Sequence, residues 1–227
     1  MPNWLRVARR LATPARPMLY RTQPVSADWG YERGTPIDRA YIEDFLARHR
    51  ADIRGRVLEV RDTAYTDRFG SQVTERDVLD IDSANPVATV IADLAHADSI
   101  PDEAFDCFIF TQTLQFIEEP REAVRHAHRI LRAGGVLLGT VPSIIRVDDE
   151  APDADRWRFT EVSCRELFGE RFGPECVEVS TRGNVLAAVA FLSGLAAEEI
   201  SPAKLAVSDP AFPVVVVVRA VKGSATV

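Results

Sequence analysis

The chain has 227 residues, of which 46% are hydrophobic and 27% charged, the balance of an ordinary globular domain rather than of a disordered or fibrous chain. With 27 Lys+Arg against 34 Asp+Glu the net charge is −7, which argues against a grip on nucleic acid through bulk charge. Cys107, Cys164 and Cys176 lie far apart and form neither a disulfide framework nor a CxxC metal pair, so a reducing cytoplasm is expected; the longest apolar stretch, 185–197, is broken by Ser193 and Gly194 and is too short to span a bilayer.

Up to Asp28 no acidic residue occurs, while Arg6, Arg9, Arg10, Arg16 and Arg21 accumulate between Pro14, Pro17 and Pro24. Trp4, Leu5, Ala8 and Leu11 are spaced for a short amphipathic helix. Residues 1–34 thus read as a basic extension that serves as a tail, as a lid or homodimer arm, or as a contact with an anionic membrane. The last is the weakest reading, because one short basic helix binds lipid poorly. No signal-peptide pattern is visible.

From Thr35, a helix cap followed by Pro36, the signals become regular. Ile37, Tyr41, Ile42, Phe45 and Leu46 predict a helix to about Arg50. Strands are expected over 56–60, 73–78, 88–91 and 105–110. After Glu118-Glu119 a helix should run from Pro120 to about Arg132, with Val124, Ala127, Ile130 and Leu131 on one face, until Gly134-Gly135 ends it before a strand over 136–141. Thr160 caps a further helix; a strand over 177–180, a helix over 185–195 and a strand over 214–221 complete the chain. Apolar strands alternating with helices predict a single α/β domain over 35–227, built on a mostly parallel sheet with helices on both faces.

In such a sheet ligands bind at the carboxyl ends of the strands. The residues expected there are Asp62 in the 61–66 turn, Asp77, Asp93, and Thr111 with Gln112. A carboxylate ending the second strand suits a ribose diol, and one ending the third suits an exocyclic amine. Each is equally read as a turn or helix cap. His126 and His128 stand two apart on a helix, on different faces, so no metal site is expected there. His96, near Asp98, is a weak candidate base and otherwise a surface histidine. No G-x-S-x-G elbow and no phosphate loop is present.

Residues 55–60, 73–77, 92–94, 105–114 and above all 129–137 (Arg-Ile-Leu-Arg-Ala-Gly-Gly-Val-Leu) resemble the ordered motifs of class I S-adenosylmethionine-dependent methyltransferases, small-molecule branch. Trp157-Arg158-Phe159-Thr160, opening a helix, is similar to methyltransferases of sugar and natural-product pathways. The resemblance implies a Rossmann-like seven-stranded sheet with the 214–221 strand inserted between the fifth and sixth. It implies S-adenosylmethionine as cofactor and O- or N-methylation of a sugar or secondary metabolite. Glu59 would be the acidic residue of the first motif, Asp77 would hold the ribose, Asp93 with Leu94 the adenine, and Thr111 and Gln112 would line the methionine portion. Gln115, Trp157 and Arg158 would face the acceptor.

The departures are equally specific. The G-x-G turn after the first strand is replaced by Arg61-Asp62-Thr63-Ala64, where Asp62 best tolerates a left-handed backbone. Residues 79–87 are too few for the usual helix between the second and third strands, and Gln115 stands where many relatives carry histidine. Two outcomes fit. Cofactor binding survives with Tyr31, Arg33, Arg39 and Tyr41 as helpers, or the pocket serves another reaction or a partner-subunit role.

Overall fold

The computed structural model describes residues 21–223, so the amphipathic segment around Trp4 and Leu11 lies outside the described residues. The chain divides into two compact units: among the described residues, 21–41 with 182–214, and 42–181 with 215–223. Residues 21–34 of the expected extension fall in the smaller unit.

The larger unit is built on seven strands, β1 (Gly55–Val60), β2 (Val73–Asp80), β3 (Val90–Ile91), β4 (Phe105–Thr111), β5 (Leu131–Pro142), β6 (Val177–Arg182) and β7 (Val215–Val221). They lie in the order β3-β2-β1-β4-β5-β7-β6. The pairings of β1 with β2 and β4, of β2 with β3 and of β4 with β5 are parallel, and β7 runs antiparallel beside β5. The last strand in sequence is thus inserted between the fifth and sixth, as the resemblance implied. Leu58, Phe108, Ile109, Leu137 and Val218 are fully buried, the mark of central strands covered on both faces.

Four helices belong to this unit wholly or in large part: α1 (Ile37–Arg48), α2 (Ala64–Phe69), α3 (Pro120–Ile130) and α4 (Glu161–Phe172). Helix α3 buries Ala123, Val124, Ala127 and Ile130, the i, i+1, i+4, i+7 stripe its sequence prescribes. At the start of α4 the Thr160 hydroxyl accepts the Ser163 N–H at 3.1 Å while the Ser163 hydroxyl accepts the Thr160 N–H at 3.0 Å.

Several boundaries differ from the sequence expectation, among them the start of β5 at Leu131 rather than 136 and the end of the 185–195 helix at Leu192. Strand β2 runs on to Asp80 instead of stopping at Val78, because Leu79 and Asp80 find partners in Val90 and Ile91 of β3. Helix α3 ends at Ile130 rather than Arg132, since Leu131 turns extended to pair with Phe105, and the Lys222 ammonium donates to the Leu131 carbonyl at 2.7 Å. The six-residue α2, too short to show a period, was not expected. No helix separates β2 from β3, in keeping with the shortness of that connection.

The smaller unit contains α5 (Val185–Leu192) and α6 (Pro202–Leu205). Asn184 ties them together: its side chain accepts the Ala187 N–H at 3.0 Å and donates to the Lys204 and Val207 carbonyls at 2.9 and 2.7 Å. A bridge between Pro36 and Ala196 joins its two chain segments.

Candidate functional site

The carboxyl ends of β1 to β4 form one edge of the sheet, and the turn after β1 is its most specific feature. Glu59 is 2% exposed, and its carboxylate accepts the N–H groups of Tyr65 at 3.0 Å and Thr66 at 2.8 Å and the Thr66 hydroxyl at 2.7 Å. Burial pushes its carboxyl above the usual range, against the pull of these three donors. The bonds fold the 61–63 turn back over the end of β1 and start α2.

Within that turn the left-handed residue is Arg61, with φ of 73°, and not Asp62 as expected. A left-handed backbone costs a non-glycine residue about 1–2 kcal/mol. Two hydrogen bonds hold it in place: the Arg61 N–H donates to the Leu79 carbonyl at 3.0 Å, and its own carbonyl accepts from Asn85 at 2.8 Å. Asp62 is exposed and accepts the Ala64 N–H at 2.8 Å, an ordinary turn contact. The backbone therefore keeps a glycine-type conformation where the glycines are gone.

Strand β2 carries two aspartates with different surroundings. Asp77 lies three residues before the strand end and is buried, with the Arg56 guanidinium 2.7 Å from one oxygen and the Thr89 hydroxyl 2.9 Å from the other. Burial pushes its carboxyl up, but Arg56 and Thr89 together hold it below the usual range. Asp80 ends the strand. One oxygen accepts the Asp82 N–H at 3.0 Å and the other the Asn85 amide at 2.6 Å, so Asn85 links this carboxylate to the Arg61 turn. Burial raises its carboxyl, while these donors and the Arg61 charge bring it below the usual range. Ile81, the next residue, is 71% exposed.

Asp93 follows β3 and caps the short 3-10 turn Leu94–His96 through the Ala95 N–H at 2.9 Å. Its second oxygen lies 3.0 Å from His96 Nδ1, and this carboxylate holds the exposed imidazole above its ordinary value. Leu94 is buried beneath it in the core.

At the end of β4, Thr111 is half-buried and Gln112 takes a left-handed φ of 46°. The Gln115 side-chain amide donates to the Gln112 carbonyl at 2.9 Å, and its backbone carbonyl accepts the N–H groups of Arg156 and Trp157 at 3.0 and 3.2 Å. The side-chain oxygens of Gln112 and Gln115 are buried and have no hydrogen-bond partner among the described residues. Trp157, 40% exposed, is fixed by its indole N–H on the Ile117 carbonyl at 2.9 Å. The Arg158 guanidinium is engaged in a two-pronged contact with Asp155, 2.9 Å on one side, which holds this carboxylate below its usual range.

Of the four helpers expected near residue 35, all lie in the smaller unit. Arg33 is paired in forked fashion with the buried Glu199, with Nε to Oε2 at 2.8 Å; Arg39 donates to the Tyr31 hydroxyl at 3.1 Å; Tyr41 donates to the Leu205 carbonyl at 3.0 Å. Among the described residues no group of His, Cys, Asp and Glu forms a metal-binding cluster, and no helix is long and apolar enough to cross a membrane.

Asp80 and Asn85, which were not among the expected residues, stand at the end of β2 and in the turn that follows. The stretch Val78-Leu79-Asp80-Ile81-Asp82 did hold the signal, an apolar run closed by aspartate.

Residues 49–139 match the family model described as a methyltransferase domain. No curated protein matches the sequence. Among solved structures the chain is similar to the [4+2]-cyclase SpnF, at 17% identity and TM-score 0.52 over 92% of each chain. It is similar to a SAM dependent methyltransferase from Archaeoglobus fulgidus, at 12% identity and TM-score 0.53, over 81% of this chain and 94% of that one. A third is the Burkholderia thailandensis 1,6-didemethyltoxoflavin-N1-methyltransferase with bound 1,6-didemethyltoxoflavin and S-adenosylhomocysteine, at 17% identity and TM-score 0.50, over 81% and 77% of the two chains. At these identities the likeness establishes the fold, that of the class I methyltransferases.

Proposed function

We propose that this chain, whose residues 49–139 match the methyltransferase domain model, is an S-adenosylmethionine-dependent methyltransferase acting on a small molecule. The observation that carries the reading is the Arg61 turn, held by Glu59, Leu79 and Asn85 in the backbone shape that glycines ordinarily supply. The residues along the edge fit an adenosyl group with an amino-acid tail. Asp80, ionised and at the end of β2, accepts from a ribose diol, and the exposed Ile81 offers an apolar face to a base. Asp93 accepts from an exocyclic amine. The buried amide oxygens of Gln112 and Gln115 call for N–H donors, which an ammonium group has. Asp77, engaged with Arg56, has a structural part, and the ribose role passes to Asp80.

When bound, S-adenosylmethionine supplies an electrophilic methyl group on a good leaving group, so the protein's work is alignment of the acceptor. Trp157, with its ring held by Ile117, offers a planar acceptor a face to lie on. Arg158, neutralised by Asp155, shapes the loop rather than meeting an anion. A general base contributes on the order of 10²–10⁴-fold where a hydroxyl must be deprotonated. Gln115 cannot act as one, and His96 lies at the end of β3 on a different strand from the acceptor residues. The acceptor that suits this site is a nitrogen nucleophile or an acidic hydroxyl on a planar secondary metabolite. The −7 net charge supports a small-molecule acceptor over nucleic acid.

The test is calorimetric titration with S-adenosylhomocysteine, followed by an acceptor panel scored for S-adenosylhomocysteine release. Binding with turnover of a planar amine supports the proposal; absence of binding sinks it. The likeness to a cyclase and the missing base favour a second reading, cofactor binding without methyl transfer. Tight S-adenosylhomocysteine binding with no release from any acceptor would support that one.

A further inference from the structure

On the opposite edge of the sheet, where β4 and β5 begin, the larger unit contains an open cavity of about 600 Å³. Its wall sets Arg125, His128 and Arg129 of α3, Arg171 of α4 and Lys222 just after β7 beside three carboxylates, those of Asp102, Glu103 and Glu170. None of these residues takes part in the site described above.

The charges here are uneven once the ion pairs are drawn. Asp102 is taken by Arg129, Glu103 by Lys222, Glu122 by Arg125 and Glu170 by Arg121. Arg171 is left with no carboxylate within ion-pair distance among the described residues. Arg125 uses Nε on Glu122 and one terminal nitrogen on His126, so its other terminal nitrogen, Nη1, has no partner among the described residues. His128 is half-buried, edge-on to the Phe172 ring at 4.8 Å, and makes no hydrogen bond among the described residues. Burial first, then the charges of Lys222 and Arg171, hold this imidazole below its ordinary value. The carboxylates of the wall are thus each taken up in an ion pair, and the unspent donors of Arg171 and Arg125 face an open cleft on a chain that is acidic overall.

We propose that this cavity binds a phosphate group, held by Arg125, Arg171 and the His128 imidazole, with the remaining volume taking the rest of a phosphomonoester. The Arg171 guanidinium fork matches the geometry of phosphate oxygens, Nη1 of Arg125 adds a single donor, and an imidazole that gains a proton on binding adds a third. The charged wall rejects an apolar ligand. The proposal does not rest on the methyltransferase reading, because the two sites share no residue.

The test is NMR titration of the His128 ring, assigned with H128Q, against inorganic phosphate and against glucose 6-phosphate. Both ligands should raise the His128 pKa, since a bound phosphate adds negative charge beside the imidazole while Lys222, Arg171 and Arg125 stay cationic and Asp102, Glu103 and Glu170 stay in their ion pairs. R171A, a change at an exposed residue, should weaken binding about tenfold while thermal unfolding stays as in the wild type. Tighter binding of the ester than of the free ion assigns the site to phosphomonoesters; equal binding assigns it to the ion itself. A His128 signal unmoved by millimolar phosphate overturns the proposal, as does unchanged affinity in both R171A and R125A.

Discussion

Two arginine–aspartate pairs run along the same two strands, and they behave differently. Toward the amino ends, Arg56 and Asp77 meet directly at 2.7 Å, and Thr89 occupies the remaining carboxylate oxygen. At the carboxyl ends, Arg61 and Asp80 make no direct bond; Asn85 stands between them, donating to the Asp80 carboxylate and to the Arg61 carbonyl. The first pair is closed within the folded protein. The second has its carboxylate at the strand edge, beside a strained turn, where ligands of α/β sheets bind. The same residue types thus close on each other in one place and leave a carboxylate at the strand end in the other, and what separates them is position along the strand.

The largest effect expected from breaking this arrangement lies beneath the second pair. Glu59→Ala leaves three donors of Tyr65 and Thr66 without their acceptor. It should cost about 3 kcal/mol of stability, read from denaturant unfolding, and abolish cofactor binding together with the turn. Next, Asp80→Ala should weaken S-adenosylhomocysteine binding by about 1.5–3 kcal/mol while the fold stays intact, as calorimetry and circular dichroism will show.

Asp77→Ala should do the reverse. The partly exposed ion pair contributes up to ~1 kcal/mol to stability, and affinity should hold. The pH sign follows from the lowered Asp77 carboxyl. Its contribution is present above the unfolded value of about 3.9 and is lost as pH falls through the folded value below it. Asp77→Asn should therefore flatten the acid limb of stability against pH. The smallest effect is Arg61→Gly. It removes the left-handed cost but adds chain entropy to the unfolded state, for a net gain below about 1 kcal/mol. S-adenosylhomocysteine affinity should be equal or higher, because the backbone bonds to Leu79 and Asn85 do not need the side chain.

Much of the fold was legible in the sequence because it rests on period and composition. The apolar runs around Leu58, Phe108 and Leu137 became central strands, and the Val124–Ala127–Ile130 stripe became the buried face of α3. What escaped depends on cross-strand partners, which one dimension does not display. Asp77 read as a strand end because a charge inside a strand is unusual without a partner, and that partner, Arg56, is twenty-one residues away. The left-handed residue fell one position early, at Arg61, because hydrogen bonds to Leu79 and Asn85 outweighed the intrinsic preference of Asp62. Arg33 and Arg158 looked available for a ligand, yet Glu199 and Asp155 hold them. On β2 the strand runs three residues beyond Asp77, so the carboxylate at its end is Asp80.

The measurement that tests the central claim most directly is calorimetric titration of S-adenosylhomocysteine into the wild type, D80A and D77A side by side. The account predicts micromolar binding by the wild type, about tenfold or greater weakening in D80A, and wild-type affinity in D77A. Absence of binding by the wild type, or loss of affinity in D77A with D80A unaffected, would contradict it.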